Sequence, residues 1–571
     1  MTDRLRKSNP WRATALILGL LCIFLAGFIL FNLSGKPDTP VSTSAIHAAA
    51  QMAGLAFTQP EAELMIPDLE ERLDAFKSLR SVDLPNNLPP ALGFHPALCS
   101  DSPQSGPPIG KWHCPPPPPL PADPADIAFQ PIPVLSSWIR NRRISSEELT
   151  RIYLERLKRL GPKLECVVTL TEDLAMRQAR RADKEIASGL WRGPLHGIPY
   201  GIKDLFAVPA YPTTWGASPF REQVLDEPAT VVDRLEKAGA VLVAKLTTGA
   251  LAWGDVWFGG KTRNPWDPDQ GSSGSSAGPA AATAAGLVGF AIGTETWGSI
   301  VSPSTRCGVT GLRPTFGRIS RHGAMALSWS MDKVGPIARS VEGSGLVFSA
   351  IHGRDGKDPD CRDKPFVWPG SKSIGALRIG YVADAFPAGD TRSSDRKTLD
   401  VLQSMGIELI PIRLPKLPIK PLAMILNAEA AAAFDAFSRS DRDDELVRQV
   451  RHAWPNVFRH ARMIPAVEYI QGNRVRTLLM REMADLFQKV DIYVCPTFGK
   501  DNLLLTNLTG HPALVLPNGF DDDGHPVSIT FTGNLYAEAN LLNLGRAVQE
   551  ATDFHRRRPP GFSDQPEDKE S

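Results

Sequence analysis

Two short loops in the middle of the chain hold the residue types that hydrolytic chemistry needs. Residues 271–276 read Gly-Ser-Ser-Gly-Ser-Ser, and residues 293–299 again join glycine and hydroxyl side chains after an apolar run. Serine offers a hydroxyl nucleophile once a base activates it, and glycine lets backbone N–H groups come close to a ligand. Two such loops can bring serines and N–H groups to one point. A linker or a phosphate cradle is the plainer reading of a glycine–serine stretch. Linkers, however, do not sit between long apolar segments such as 280–292. The phosphate-loop pattern G-x-x-x-x-G-K-[ST] and a G-x-G-x-x-G opening are both absent. The G-x-S-x-G elbow is missing too, because Ser299 lies in Trp297-Gly298-Ser299-Ile300-Val301. What remains is a serine nucleophile without a histidine triad.

Such loops need rigid elements beneath them. After Gly197 the chain alternates: 198–202 is strand-like, 230–238 is helical, and Gly239 stops that helix before the apolar run 240–244. Strand–helix–strand alternation predicts a layered α/β fold around a largely buried sheet. Lys203 ends the first of these strands, in Gly201-Ile202-Lys203-Asp204. Pro279 suits a first helical position and leads into the alanines of 280–285, a helix able to approach its neighbours closely. Upstream, Ser145 and Glu148 form an S-x-x-E capping box that starts another helix. Downstream, 491–496 reads as a further buried strand. The irregular region 355–475, broken at Leu414-Pro415 and Leu417-Pro418, is expected to supply helices that shape the substrate site. This main domain is placed at 128–558, with a polar, disordered tail at 559–571.

Composition narrows the function classes. Over 571 residues the chain is 42% apolar, enough for a large core, and its net charge is +1. That balance lacks the basic footprint of a nucleic-acid binder. Seven cysteines without close paired spacing, and no H-E-x-x-H, leave metal chemistry unsupported.

With these residues in view, the chain closely resembles the amidase signature family over about residues 130–558. The segment 271–323 carries the family's serine- and glycine-rich signature, and Gly201-Ile202-Lys203-Asp204 looks like its lysine motif. The spacings, 72 residues from Lys203 to Ser275 and 24 from Ser275 to Ser299, are also typical of it. The resemblance implies an α/β/α fold with a central mixed β-sheet and a Ser–Ser–Lys triad. Ser299 would attack the amide carbonyl, Ser275 would relay its proton, and Lys203 would be the base. Burial disfavours a lysine's charged form, which makes that role physically reasonable. The resemblance further places a cis bond between Gly274 and Ser275, support from Ser276, and an oxyanion hole at the N–H groups of Thr296, Trp297, Gly298 and Ser299. It implies no metal and no organic cofactor. The implied partner is a small amide substrate.

Departures from the family sharpen the substrate question. Trp297 stands where many members have glycine, and its ring is expected to reshape the pocket. Many members carry an arginine two or three residues past the nucleophile; here those positions are Val301 and Ser302, with Arg306 nearby. Without an arginine fork for a carboxylate, a neutral or apolar amide is favoured. Residues 46–95 are similar to the small wrapping chain that accompanies tRNA-dependent amidotransferases, which keeps a glutaminase or amidotransferase A-subunit-like enzyme as the alternative. A silent scaffold is the third reading.

The N-terminus suggests a location. Residues 1–12 carry Arg4, Arg6, Lys7 and Arg12 against Asp3, and residues 13–33 hold no charge. At about 1.5 Å per residue that stretch would cover roughly 31 Å, the thickness of a hydrocarbon core. A single-pass signal anchor is therefore expected, with the basic flank cytoplasmic and the catalytic domain extracytoplasmic; cleavage and secretion is the alternative. Residues 34–127 would then be a tether, a helical hairpin and a proline-rich strap. The helical part shows Met65, Leu69, Leu73 and Phe76 on one face. Cys99 and Cys114 are a candidate disulfide in such a compartment.

Overall fold

The structure, a computed structural model, describes residues 41–83, 92, 112, 114–368, 374–387 and 392–562. It divides into two compact units, Met1–Glu71 and Arg72–Ser571. The described part of the first holds helix α1 (Thr43–Met52), capped by Ser42 through its contact from Ala45 N at 3.2 Å. Helix α2 (Gln59–Arg80) begins in that unit and ends in the second. Of its expected apolar face, Met65, Leu69 and Phe76 are buried, whereas Leu73 is 48% exposed.

The second unit is organised by one mixed sheet of eleven strands. In chain order these are β1 (Val167–Leu170), β2 (Pro199–Lys203), β3 (Val241–Leu246), β4 (Phe290–Glu295), β5 (Thr310–Arg313) and β6 (Lys333–Ala338). There follow β7 (Ile379–Val382), β8 (Leu409–Ile412), β9 (Ile492–Pro496), β10 (Ala513–Phe520) and β11 (Pro526–Gly533). Across the sheet they run β1-β3-β2-β4-β6-β5-β10-β11-β9-β7-β8. β2 lies between two parallel neighbours, with Lys203 beside Leu246 of β3 and Ile202 beside Ile292 of β4.

Both faces of the sheet are covered, as its side-chain alternation requires. Leu242, Phe290 and Ile292 point into one apolar cluster, together with Val341 and Phe348 of helix 341–351 and Leu541 of helix 538–550. Val241, Val243 and Ala291 point into another, where the alanine-rich helix 277–284 packs through Ala280, Ala281 and Ala284. A third cluster joins helices 424–433, 454–461 and 466–487 beside the carboxyl end of β2. The capping box forms as expected, Ser145 N donating to Glu148 at 2.8 Å and Glu148 N to Ser145 at 3.1 Å. The described prolines of the strap lie along helix 132–140: Pro115 O accepts from Ser137 Oγ at 2.6 Å and Pro118 O from Trp138 Nε1 at 2.7 Å. At the other end the chain stays packed to Phe562, which is buried and whose carbonyl accepts from Arg156 at 2.8 Å.

The layered α/β expectation with a mixed sheet agrees with this architecture; the transmembrane helix does not. Residues 1–12 and 13–33 lie outside the described residues, and among the described residues no helix is long and apolar enough to cross a membrane. The two helices of 22 residues, Gln59–Arg80 and Ala466–Phe487, reach about 33 Å but carry charges along their length. The membrane-spanning helix expected at 13–33 therefore has no counterpart among the described residues. Cys99 also lies outside the described residues.

Candidate active site

Lys203 ends β2 where the sheet is covered on both sides, and its side chain is fully buried. Its Nζ lies 2.8 Å from Ser275 Oγ and 2.8 Å from Thr294 Oγ1. Among the described residues no carboxylate forms an ion pair with it. Burial therefore holds its pKa well below the usual lysine range, against the opposing pull of the Asp332 and Glu295 carboxylates. A neutral amine beside a serine hydroxyl can take a proton.

The two loops meet through backbone contacts. The Gly274–Ser275 peptide bond is cis. A Cβ on Gly274 would sit 1.9 Å from the carbonyl oxygen of Gly254, so only glycine fits there. Ser276 joins the loops: its N donates to Ser299 O at 3.0 Å, its Oγ donates to Thr294 O at 3.0 Å, and it accepts from Thr294 N at 3.1 Å. The other serines face elsewhere. Ser272 Oγ donates to Ser273 O at 2.9 Å, and Ser273 Oγ lies 3.1 Å from Ser302 Oγ. Ser275 and Ser299 are both buried.

Residues 296–299 turn from β4 into helix Val301–Cys307, with Gly298 at φ 89°. Trp297 is 45% exposed, so its ring is open to solvent and not packed into the core. Arg306 is exposed and donates to Gln270 Oε1 at 2.7 Å, which gives it a structural partner. Val301 is buried.

Sequence reasoning missed Glu295. Its carboxylate accepts from Ile300 N at 2.8 Å and Val301 N at 2.9 Å, directly after Ser299. The other oxygen accepts from Arg313 Nη1 and Asn507 Nδ2, each at 2.8 Å. Burial pushes this carboxyl upward, but the Arg313 charge and the hydrogen bonds outweigh it and leave the pKa below the usual value. An anion held against the first N–H groups of a helix is favourable, so an acid four residues before the nucleophile was a signal available in the sequence. Thr296 was expected only for its N–H, yet its Oγ1 donates to the half-buried Asp332 at 2.5 Å. A cavity of about 210 Å³ opens beside these groups, lined by Leu205, Ala252, Thr294, Thr296, Asp332 and Trp329 among others.

This arrangement sets a buried lysine of lowered pKa beside the Ser275 hydroxyl and ties that loop to the Ser299 loop through the backbone. Comparison with known proteins identifies the family. A family model described as Amidase matches residues 148–506. The glutamyl-tRNA(Gln) amidotransferase A-subunit of Marinomonas sp. is 33% identical over 483 residues, covering 75% of this chain and 98% of that protein. The protein of the same name from Roseiflexus sp. is 34% identical over 464 residues, covering 73% and 95%. Among solved structures, the native peptide amidase of Stenotrophomonas maltophilia superposes with a TM-score of 0.67 at 28% identity, over 77% of this chain and all of that one. An amidase family protein from Bacillus anthracis gives 0.67 at 26% identity, over 76% and 94%. The expected extracytoplasmic, membrane-anchored placement is corrected here: the relatives are tRNA amidotransferase subunits by name, and no described helix can cross a membrane. The chain belongs to the amidase family and is an amidase, an enzyme acting on carbon–nitrogen bonds.

Proposed function

We propose that the protein hydrolyses amides through an acyl-enzyme on Ser299. The observation that carries this reading is the 2.8 Å contact between Lys203 Nζ and Ser275 Oγ in a fully buried setting, with the Ser299 loop tied to Ser276. Ser299 Oγ attacks the carbonyl carbon as its proton passes to Ser275 and the Ser275 proton passes to neutral Lys203. The N–H groups of Thr296, Trp297, Gly298 and Ser299 receive the developing oxyanion; one such donor contributes about 2.7–4 kcal/mol in other enzymes. Collapse breaks the C–N bond, and the proton returns from Lys203 through Ser275 to the leaving nitrogen. Water then repeats the sequence on the acyl-enzyme. Asp332 and Glu295 favour the transient lysine ammonium, since both carboxylates raise the affinity of Lys203 for its proton.

Ser299→Ala is expected to abolish turnover while leaving the circular dichroism spectrum and Tm unchanged. A fluorophosphonate should add once to the wild-type protein and not to the variant, as read by intact mass. Undiminished turnover in Ser299→Ala would sink the proposal, and a folded wild type that takes no adduct would favour a silent scaffold.

A second reading has a specific observation in its favour. Relatives named as A-subunits of an amidotransferase match over 95–98% of their own length, which supports an A-subunit-like glutaminase more than a small neutral or apolar amide. Ammonia release from glutamine, measured beside a panel of neutral primary amides with Ser299→Ala as the blank, separates the two.

A further inference from the structure

At the other end of the central strands from Lys203 lies a cavity of about 580 Å³. β6 runs antiparallel to β4, so its first residue, Lys333, sits beside Glu295 and its last, Ala338, beside Phe290. At 3.2–3.4 Å per residue, the length of β6 sets Arg339, the next residue, about 17 Å along the sheet from the Glu295 end. The described lining of the cavity holds four arginines, Arg339, Arg546, Arg556 and Arg558, against two carboxylates, Glu342 and Glu550. The arginines come from the turn after β6, from helix 538–550 and from the chain beyond it. Glu550 lies 3.8 Å from Arg546, Glu342 accepts from Trp112 Nε1 at 3.1 Å, and Arg558 pairs with Asp126 at 2.6 Å. Arg339 and Arg556 form no ion pair among the described residues.

Arg339 is the decisive member. It is only 7% exposed, and its guanidinium meets two backbone carbonyls, Ala284 O at 3.3 Å and Arg557 O at 3.5 Å. Its Nε has no acceptor among the described residues and is not closed off from solvent. Arg339 and Arg558 also share one ring, each guanidinium carbon lying 4.7 Å from the centre of Phe129. Burial, and then the charge of Arg558, lower the Arg339 pKa to about 10, so it remains a cation at neutral pH. His555, in the same lining, feels the same surplus: burial, then Arg556 and Arg339, push it down to about 4. A cation taken out of water without a countercharge is costly, and the partner that would relieve it here is an anion. Ser340, which caps helix 341–351 by accepting from Gly343 N at 3.1 Å, belongs to the lining too, so the positive end of that helix lies at the cavity.

We propose that this cavity binds a phosphate group, held by Arg339 with Arg556 beside it, at a site separate from Ser299. A phosphate suits the cavity better than a carboxylate does. Its charge of about −1.5 to −2 matches two unpaired guanidiniums, and its oxygens match their forked donors. The volume is that of a small-ligand pocket.

The test is isothermal titration calorimetry of the full-length chain with inorganic phosphate and with pyrophosphate, beside sodium acetate and sodium chloride at matched ionic strength. Pyrophosphate should bind at one site, and acetate should not. Arg339→Met should weaken binding at least about 10-fold, the order of one charge-assisted hydrogen bond. Arg556→Gln, at an exposed position where folding is not at stake, should weaken it about threefold. Both variants should react with a fluorophosphonate at Ser299 at the wild-type rate, so that lost binding reports the cavity and not the fold. Phosphatidylcholine vesicles with and without phosphatidic acid separate the two carriers of a phosphate. Retention that needs both phosphatidic acid and Arg339 assigns the group to a lipid; pyrophosphate binding without such retention assigns it to a soluble molecule. The site is overturned if acetate binds as tightly as pyrophosphate, if both variants bind like wild type, or if neither phosphate, pyrophosphate nor phosphatidic acid binds.

Discussion

Lys203 and Lys245 sit on neighbouring parallel strands, Lys203 one position further along than the residue paired with Lys245. Both side chains are fully buried. Lys245 has a carboxylate: Asp204 Oδ1 lies 2.8 Å from its Nζ, with Thr213 Oγ1 accepting at 2.6 Å. Burial lowers the pKa of Lys245 and raises that of Asp204, and each shift is resisted by the other's charge. Lys203 has two hydroxyls instead and is pushed well below the ordinary lysine range. One residue of burial pattern apart, the same side chain becomes half of an ion pair in one case and a candidate base in the other. What separates them is whether a countercharge accompanies the amine into the core.

Several substitutions would break this contrast or sharpen it. The largest expected effect belongs to Lys203→Met, which removes the base and should lower kcat by about 10²–10⁴-fold. Its Tm should be unchanged or raised, because an unpaired buried amine gives little stability; a normal kcat at neutral pH would take Lys203 out of the mechanism. Lys245→Met should show the converse. It leaves the Asp204 charge uncompensated and should destabilise the fold by about 3–5 kcal/mol in denaturant unfolding, with most of that loss recovered in the double variant Lys245→Met/Asp204→Leu. If the single variant proved as stable as wild type, the pair would be no structural counterpart to Lys203.

The pH profile is the next test. Lys203 acts when unprotonated, and burial lowers its pKa, so kcat/KM should hold from alkaline pH down through the ordinary lysine range. It should fall only at lower pH, as the amine gains its proton. An acid limb near the usual lysine pKa would mean that the base is an exposed lysine. The smallest effect is expected from Thr294→Val, which deletes one hydroxyl at 2.8 Å from Nζ. A loss of roughly 1 kcal/mol, or about fivefold in kcat, is the measure of one such hydrogen bond, and no change would show that Ser275 alone orients the amine.

The two regions were not equally legible in the sequence. The loops of 271–276 and 293–299, the lysine at a strand end and the strand–helix–strand order around it were readable because local chemistry set them: glycine at crowded turns, alternating apolar runs, a capping box at Ser145. The Lys245–Asp204 pair was invisible, since a lysine inside an apolar strand reveals a partner only once the neighbouring strand is in register. Glu295 was missed for a similar reason. Its role depends on Arg313 and Asn507 arriving from β5 and helix 502–509. The membrane reading came from the basic residues of 1–12 and the uncharged run 13–33, and the described helices gave it no counterpart.

Taken by itself, the sequence determined the residue types: two serine-bearing loops, a lysine after an apolar strand, and the alternation that closes a layered α/β fold over them. Only the tertiary structure decided that Trp297 faces solvent while Trp215 and Phe220 line a cavity, and which buried amine has a countercharge. The physical reason is range. Turn geometry and burial pattern are set within a few residues of chain, whereas desolvation and charge pairing depend on groups brought together from strands far apart in sequence.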